Sequence, residues 1–255
     1  MKTLTVIVIT KNEAHNIAAC LQSVPFANQI VVLDSGSSDN TVQIAAQMGA
    51  EVCQSEDWPG FGVQKNRALA LANCDWILSI DADERLTPQL QLEIKATLQN
   101  PHFDVYCFPR LTSYCGKFIR HSGWYPDLVT RLFKREAAWF SNDLVHEKLK
   151  TSQAVGRLSS HLLHDSFIDL ESVLDKVNRY STAGARASIN SGKNASFNKA
   201  FSHGFWAFFR TYVLRFGFMD GRMGLVLAIS NAEGTYYRYL KLWLASQPKA
   251  SSSED

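Results

Sequence analysis

Residues 78–86 read LSIDADERL, an apolar strand that runs directly into three acidic residues. Asp81, Asp83 and Glu84 occupy three of four successive positions. Carboxylates this close repel each other and raise one another's pKa, so another group must compensate them. Two interpretations are open at this point. The acids either cap the next helix in a solvated loop or hold a divalent cation, which prefers hard oxygen ligands.

Short β-branched strands alternate with helical segments on both sides of this stretch. Strands are predicted at residues 4–10, 29–34, 51–53 and 76–80, and helices at 14–21, 41–48, 62–72 and 88–98. This alternation indicates an α/β fold with a mainly parallel sheet and right-handed crossovers, in which Asp39 or Asn40 caps the second helix. Ligands of such sheets bind beyond the carboxyl ends of the strands. Polar residues gather at those ends, in Thr10–Glu13, at Asp34 and in Asp81–Asp83.

The second half of the chain has a different character. Antiparallel strands are predicted from residue 105, around VYCFPR and LVTRLFKR, and helices from residue 170 to about 245. Residues 246–255 are polar and are predicted to be disordered. Residues 1–100 hold six Lys or Arg and eleven Asp or Glu, whereas residues 176–243 hold ten and two. Such asymmetry suggests two surfaces with different partners.

The composition is that of a globular protein, with 46% apolar and 20% charged residues among 255. The N-terminal run MKTLTVIVIT is short and is followed by KNE, so we interpret it as a strand rather than a signal peptide. No stretch approaches the roughly 20 uncharged apolar residues of a membrane span. The five cysteines lack C-x-x-C or metal-ligand spacing and are expected to be reduced thiols of a cytosolic protein.

Three stretches of the first hundred residues occur together: VIVITKNEAHNIAACLQSV (6–24), IVVLDSGSSDNTVQIA (30–45) and GFGVQKNRALALANCDWILSIDADERL (60–86). They resemble the donor half of the family 2 glycosyltransferases, which are inverting enzymes of the GT-A fold that use nucleotide-diphospho sugars. TRLFKR (130–135), VHEKL (145–149) and the basic, aromatic C-terminal region resemble a narrower group, the bacterial lipopolysaccharide core β-1,4-glucosyltransferases and their relatives. No G-x-G-x-x-G follows the first strand, which disfavours a dinucleotide oxidoreductase.

The resemblance implies a nucleotide-sugar site at the strand ends. Thr10, Asn12 and Glu13 match the loop that meets the base and ribose, and the carboxylate of Glu13 is suited to accept from ribose hydroxyls. Asp34 matches the aspartate that contacts uracil. Lys65 lies on the helix that faces the nucleotide, where its charge is expected to offset the diphosphate.

The same resemblance assigns the acidic cluster to a metal ion. Asp81 matches the first aspartate of a D-x-D motif, which tends toward the ribose and the water shell of the metal. Asp83 matches the aspartate that holds the metal directly, and His164 is expected to complete the shell. The expected cofactor is Mn²⁺ or Mg²⁺. Glu84 has no counterpart in the motif and is expected to cap the next helix.

Inversion requires a carboxylate that takes the proton of the acceptor hydroxyl. Glu147, in NDLVHEKL, matches the H-E pair of the narrower group and is the predicted catalytic base. Asp143 and Asp127 are the alternatives. His146 either orients Glu147 or is packed in the interior.

The stretch FSHGFWAFFRTYVLRFGFMDGRMG (201–224) mixes aromatic residues with arginines. It forms either a helical core that covers the active site or an amphipathic surface at an anionic bilayer. A lipid-anchored, phosphorylated saccharide acceptor favours the second interpretation. Nucleic acid is not an expected partner, because no nucleic-acid-binding motif accompanies the charge.

The expected organisation is a GT-A domain at residues 1–165, with a nucleotide-sugar half (1–100) and an acceptor half (101–165), then a helical region (166–245) and a disordered tail (246–255). The expected reaction transfers a hexose, in the first place glucose from UDP-glucose, to a lipopolysaccharide inner-core acceptor. The enzyme is then cytoplasmic and peripheral at the inner face of the bacterial cytoplasmic membrane. Two other classes remain open: an aspartate-nucleophile phosphohydrolase, and a non-catalytic nucleotide-sugar-binding or membrane scaffold protein.

Overall fold

A computed structural model describes residues 2–142 and 147–247 of the chain. The chain divides into two compact units, the first within residues 1–111 and 126–165 and the second within residues 112–125 and 166–255. The first unit ends at residue 165 and residues 112–125 group with the second; the predicted division into a GT-A domain (1–165) and a helical region (166–245) stays a prediction. Most of the predicted tail, residues 248–255, lies outside the described residues.

The elements follow the alternation seen in the sequence and then change to shorter strands. The strands are β1 (Leu4–Thr10), β2 (Gln29–Asp34), β3 (Glu51–Gln54), β4 (Trp76–Asp81), β5 (Glu84–Leu86), β6 (Val105–Tyr114), β7 (Lys117–Phe118), β8 (Asp127–Lys134), β9 (Trp139–Phe140), β10 (Leu149–Lys150), β11 (Val155–Arg157) and β12 (Leu162–Phe167). The helices are α1 (Ile17–Gln22), α2 (Thr41–Gln47), α3 (Phe61–Ala70), α4 (Pro88–Gln99), α5 (Leu170–Asn190), α6 (Phe197–Phe209) and α7 (Gly221–Ala245).

The main sheet has the strand order β3-β2-β1-β4-β8-β6-β12-β5. Its first four strands are parallel, whereas β8 pairs antiparallel with both β4 and β6, and β12 pairs antiparallel with β5. The predicted α/β class with a mainly parallel nucleotide-binding half is therefore confirmed. Thr10 is in register with Asp34, and Ile9 with Asp81, so the ends of the three central strands meet at one edge.

The strand β1 is buried on both faces, as its continuous β-branched run predicts. Because successive side chains of a strand point in opposite directions, Val6 and Val8 join the cluster that contains α1 and α4. Ile7 and Ile9 join the second cluster, on the side of α3. The two clusters cover the two faces of the sheet and thereby fix the positions of the strand ends.

The second unit consists mainly of α5, α6 and α7. The helix α5 begins at a capping box in which Asp169 and Ser172 satisfy each other's backbone groups, and Ser196 caps α6. A π-helical turn (Arg210–Leu214) and a 3-10 turn (Gly217–Asp220) connect α6 to α7. In the part of the chain that the structure describes, no helix is both long and apolar enough for a membrane crossing.

Candidate functional site

A cavity of about 600 Å³ opens in the first unit at the carboxyl ends of β1 and β4. It therefore lies where ligands of parallel sheets bind. Its lining contains six of the residues predicted from the sequence, together with two aromatic rings and three further residues. The lining residues are Ile9, Thr10, Lys11, Asn12, Glu13, Trp58, Phe61, Asp81, Ala82, Asp83 and His164.

The loop after β1 is shaped by Asn12, which has a positive φ of 56°. Asn is among the few non-glycine residues that adopt this left-handed conformation readily. Its side-chain oxygen accepts from the Ser38 backbone N–H at 2.8 Å, and its own N–H donates to the Ser37 hydroxyl at 2.8 Å. The Asn12 side chain thus holds the loop as well as lining the cavity.

Asp39 ties the loops after β1 and β2 together. Its carboxylate accepts from the backbone N–H groups of Thr41 and Ala14, each at 3.1 Å. The formal cap position of α2 is Asn40, whose side chain makes no capping bond, so Asp39 performs the capping. Because Ala14 belongs to this loop arrangement, α1 begins at Ile17 rather than at the predicted residue 14.

Asp34 is fully buried and does not line the cavity. Its carboxylate accepts from the backbone N–H groups of Gly36 and Ser37, at 3.0 and 2.9 Å, and from the Ser37 hydroxyl. The side chain is thus occupied in building the turn after β2. Contact between Asp34 and uracil stays a prediction from the resemblance.

Buried cations compensate two of the three crowded acids. Asp81 lies 2.9 Å from Lys65 Nζ and 2.6 Å from Arg131 Nη2. Burial alone would raise the pKa of Asp81, but the charges of Arg131 and Lys65 outweigh it and hold that pKa well below its ordinary value. Glu84, with a fully buried side chain, pairs with Arg131 at 3.0 Å and Arg110 at 3.1 Å.

The predicted helix-capping role of Glu84 is wrong. Glu84 begins β5, and its carboxylate turns inward to accept from the Asp81 backbone N–H at 2.9 Å. The residue that caps α4 is Thr87, whose hydroxyl accepts from the Leu90 N–H at 3.2 Å. Glu84 turns inward because Arg131 and Arg110 offer charge-assisted hydrogen bonds that a solvated cap lacks.

Asp83 differs from its two acidic neighbours. Within residues 2–142 and 147–247, no lysine or arginine forms an ion pair with it, and His164 Nε2 lies 3.3 Å from its carboxylate. The pairing of β12 with β5 creates this contact, because His164 is in register with Glu84. The structure therefore brings together the two predicted metal ligands, 81 residues apart in the chain.

The donor set fits a divalent ion that also takes ligands from a substrate. A carboxylate oxygen and an imidazole nitrogen converge on the cavity wall, and both side chains are partly exposed to it. Among the described residues no group of three or more His, Cys, Asp or Glu could hold a metal. Two protein ligands suffice where substrate phosphates and water complete the shell.

Thr10 and Glu13 also line the cavity, one as a buried and the other as a partly buried polar residue. Thr10 Oγ1 is buried and has no hydrogen-bond partner among the described residues. Glu13 is half buried and accepts from the Asn16 side chain at 2.8 Å. Burial, supported by the nearby charge of Asp83, raises the pKa of Glu13 above its ordinary value. A buried hydroxyl without a protein partner is suited to a hydrogen bond with a bound water or a ligand.

Lys65 connects the cavity wall to the predicted base. Its buried Nζ lies 2.8 Å from Glu147 Oε1 as well as 2.9 Å from Asp81. Helix α3 can approach Ser141 this closely because residue 62 is a glycine, since a Cβ there would lie 1.7 Å from the Ser141 carbonyl oxygen. Lys65 does not line the cavity, so its predicted contact with a diphosphate stays a prediction, and the geometry gives it two carboxylates instead.

The other candidates for the base are not equivalent to Glu147. Asp127 pairs with Arg110 at 2.7 Å and lies at the start of β8. Asp143 and His146 lie outside the described residues. Glu147 forms an ion pair with Lys65 and its side chain is 17% exposed, but it is not among the residues that line the cavity.

Sequence reasoning missed the two arginines and the two aromatic rings of the site. Arg131 lies in TRLFKR, which was noted only as part of a resemblance. An arginine followed by two apolar residues in a predicted strand was the available signal, because such a residue is rarely buried without an acidic partner. Trp58 and Phe61 pack edge to face at 4.9 Å and remain about half exposed at the cavity. They offer flat surfaces on which a nucleobase can stack.

The chain is similar to several glycosyltransferases. The model of the family described as Glycosyl transferase family 2 matches residues 5–148. A glycosyltransferase of Rickettsia felis is 32% identical over 259 aligned residues, which cover 95% of this chain and 90% of that protein. The lipopolysaccharide core biosynthesis glycosyltransferase LpsC of Rhizobium meliloti is 29% identical, over 92% of this chain and 93% of that protein. In fold, the chain resembles S. aureus TarS 1-349 in complex with UDP, with a TM-score of 0.53 at 16% identity over 97% of this chain and 93% of that one.

Proposed function

The chain belongs to the family 2 glycosyltransferases, and from that premise we propose that it transfers a hexose from a nucleotide-diphosphate donor, in the first place UDP-glucose, to a lipid-linked saccharide of the lipopolysaccharide core. The observation that carries the donor half is the position of Asp83. Of the three crowded acids, it is the one with which no lysine or arginine in the described parts of the chain forms an ion pair, and it faces a cavity of about 600 Å³.

Asp83 and His164 are the residues that would hold Mn²⁺ or Mg²⁺. When bound, such an ion stabilises the negative charge that develops on the leaving nucleoside diphosphate. Asp81 helps to form the cavity wall but offers a metal ion no uncompensated charge, because Lys65 and Arg131 already neutralise its carboxylate.

Residues on the other walls of the cavity suit the nucleoside. The free Thr10 hydroxyl can donate to or accept from the base or ribose, and the Glu13 carboxylate can accept from a ribose diol. The exposed rings of Trp58 and Phe61 can cover the face of the base. Together these groups of the cavity lining offer both stacking and hydrogen bonding.

Glu147 is our candidate for the catalytic base. In an inverting transfer, its carboxylate takes the proton of the acceptor hydroxyl as that oxygen attacks the anomeric carbon from the side opposite the leaving group. The ion pair with Lys65 fixes the orientation of the carboxylate. Lys65 is therefore a positioning residue, because it acts through Glu147.

Acceptor class and location are supported by two features. The similarity to LpsC points to lipopolysaccharide core chemistry. The second unit exposes large apolar side chains on α6, among them Phe201 and Phe205 at 67% and 69%, within a region that carries excess positive charge. Aromatic and basic residues together favour an anionic bilayer interface. We therefore place the enzyme peripherally at the inner face of the bacterial cytoplasmic membrane, with no role for nucleic acid.

A donor screen tests the function directly. The melting temperature of the protein is measured with UDP-, GDP- and dTDP-sugars, each with and without Mn²⁺, and the best donor is then supplied with core saccharide acceptors. We expect a UDP-hexose to stabilise the protein in a metal-dependent way and to be consumed with formation of a glycosidic product. Stabilisation without any transfer would support a binding protein, and release of phosphate would support a phosphohydrolase.

The role of Glu147 is tested with Glu147→Gln, which keeps the shape of the side chain and removes its basicity. We expect the melting shift with donor to persist and the rate of transfer to fall by roughly 10²–10⁴-fold. The exposed Glu136, mutated to Gln, is the matched control. Activity within a few-fold of the parent enzyme would move the base to another carboxylate.

A further inference from the structure

A second cavity, of about 560 Å³, lies wholly within the second unit, among α5, α6 and α7. It shares no lining residue with the donor cavity. Its described lining contains no Asp or Glu, although it contains three side chains that are cationic at neutral pH. The cations are Lys176, Arg210 and Arg238.

Two of the three cations, Arg210 and Arg238, have no carboxylate partner among the described residues. In the described ranges 2–142 and 147–247, the exposed side chain of Arg210 forms no hydrogen bond or ion pair, and no carboxylate pairs with Arg238. Arg238 donates to the Ser188 hydroxyl at 3.2 Å, which leaves most of its five N–H donors available. Two guanidinium groups without acidic partners in one cavity are suited to bind a phosphate group.

Aromatic rings form the apolar part of the same cavity. Tyr114, Trp124 and Phe167 pack against one another with ring centroids 5.3–5.7 Å apart, and His203 stacks on Tyr239 at 4.2 Å. The Trp206 side chain also lines the cavity and is 51% exposed. Flat apolar surfaces of this kind accept the C–H faces of a ring-shaped ligand while water leaves both surfaces.

Neutral hydrogen-bonding groups lie beside the rings. The lining includes Ser181, Ser230, Asn231 and Thr235. Hydroxyl and amide groups serve as both donors and acceptors, as a polyhydroxylated ligand requires. Each of the four makes at least one hydrogen bond within the unit and keeps further donor or acceptor capacity, which a polyhydroxylated ligand can use and an alkyl chain cannot.

We propose that the cavity of the second unit binds a phosphate-bearing saccharide, with its phosphate on Arg210 and Arg238 and its sugar ring against the aromatic side chains. The volume lies within the 300–1,000 Å³ that is usual for sites of small ligands. Inorganic phosphate, an uncharged sugar and a lipid headgroup would each bind only some of the groups that line the cavity. Binding here does not depend on the donor cavity, so it can be tested apart from the transfer reaction.

Titration calorimetry with the full chain compares glucose 6-phosphate, glucose and inorganic phosphate, with UDP and Mn²⁺ present to fill the donor site. We expect glucose 6-phosphate to bind at least tenfold more tightly than either fragment. The double variant Arg210→Gln/Arg238→Gln should lose on the order of tenfold or more of this affinity, because it removes charge-assisted hydrogen bonds. Arg222→Gln, exposed and outside the cavity, is the control and should stay within twofold.

A second variant separates the sugar from the phosphate. Trp206→Ala should lower the affinity for glucose 6-phosphate and leave the affinity for inorganic phosphate unchanged. Equal affinity of phosphate and glucose 6-phosphate, or unchanged binding by the double arginine variant, would overturn the assignment. A third result would also overturn it: the parent protein binds phosphatidylglycerol vesicles, the double variant does not, and neither protein binds glucose 6-phosphate. A normal UDP melting shift in these variants shows that the donor site is intact, so failure here is distinct from failure of the proposed transferase function.

Discussion

Asp81 and Asp83 are only two positions apart, but replacing one should affect stability and replacing the other should affect ligand binding. Asp81→Asn and Asp83→Asn each remove one negative charge with almost no change in volume. Asp81 is in contact with two cations, at 2.9 and 2.6 Å, whereas the Asp83 carboxylate lies 3.3 Å from His164 Nε2 and forms no ion pair with a lysine or arginine among the described residues. We therefore expect Asp81→Asn to destabilise the first unit and Asp83→Asn to remove metal-dependent nucleotide binding.

The expected size follows from burial and from the partners that remain. Removing one partner of a buried ion pair typically costs about 3–5 kcal/mol. The Asp81 side chain is 30% exposed, and Lys65 and Arg131 keep Glu147 and Glu84 as partners, so we expect a smaller loss of about 2–3 kcal/mol. For Asp83→Asn we expect a change within about 1 kcal/mol, as for a partly exposed pair.

Urea unfolding without metal or nucleotide measures the first effect, and the UDP melting shift with and without Mn²⁺ measures the second. To restrict the readout to the first unit, hydrogen exchange of the β4 amides is followed alongside. Equal losses of stability in the two variants would refute the division of labour between Asp81 and Asp83. A full Mn²⁺-dependent shift in Asp83→Asn would refute the metal site.

Three further predictions concern the same cavity. Lys65→Met should change kcat more than it changes the KM for donor, because it releases Glu147. Adding Glu147→Gln to this variant should then cause little further loss of kcat. Independent losses of kcat from the two substitutions in steady-state kinetics would contradict a shared role. Thr10→Val, which is nearly isosteric, should leave urea stability unchanged or raised and weaken UDP binding by roughly tenfold, corresponding to one hydrogen bond; unchanged calorimetric affinity would exclude the hydroxyl as a ligand. Because burial raises the pKa of Glu13 above its ordinary 4.5, its contribution to stability is present below pH 4.5 and is lost as pH rises through the folded-state pKa. Glu13→Gln should therefore flatten the pH dependence of the urea midpoint just above pH 4.5, and an unchanged slope would contradict the shift.

The positions of the main strands were predictable because they depend on local patterns. Continuous β-branched runs such as Leu4–Thr10 can be buried on both faces only in a covered sheet, and the helices between them enforce parallel order. Asp81 is the last residue of β4 and Asp83 comes two residues later, so their place at the sheet edge followed from the order of residues alone. Glu84 was misassigned because the next helix offered a local partner, whereas its actual partners are on distant strands.

By itself, the sequence determined the alternation of elements, the edge of the sheet at which ligands bind and the presence of three acids there. Only the tertiary structure decided which of those acids is available. Arg131 reaches Asp81 from 50 residues further along the chain, Lys65 reaches Glu147 across 82, and the β5–β12 pairing brings His164 to Asp83. Periodicity records which side of an element faces the interior, but ion pairing depends on distances of a few ångströms between side chains of different elements. Packing of the whole unit sets those distances, and it leaves Asp83 open to a ligand while it neutralises Asp81 and Glu84.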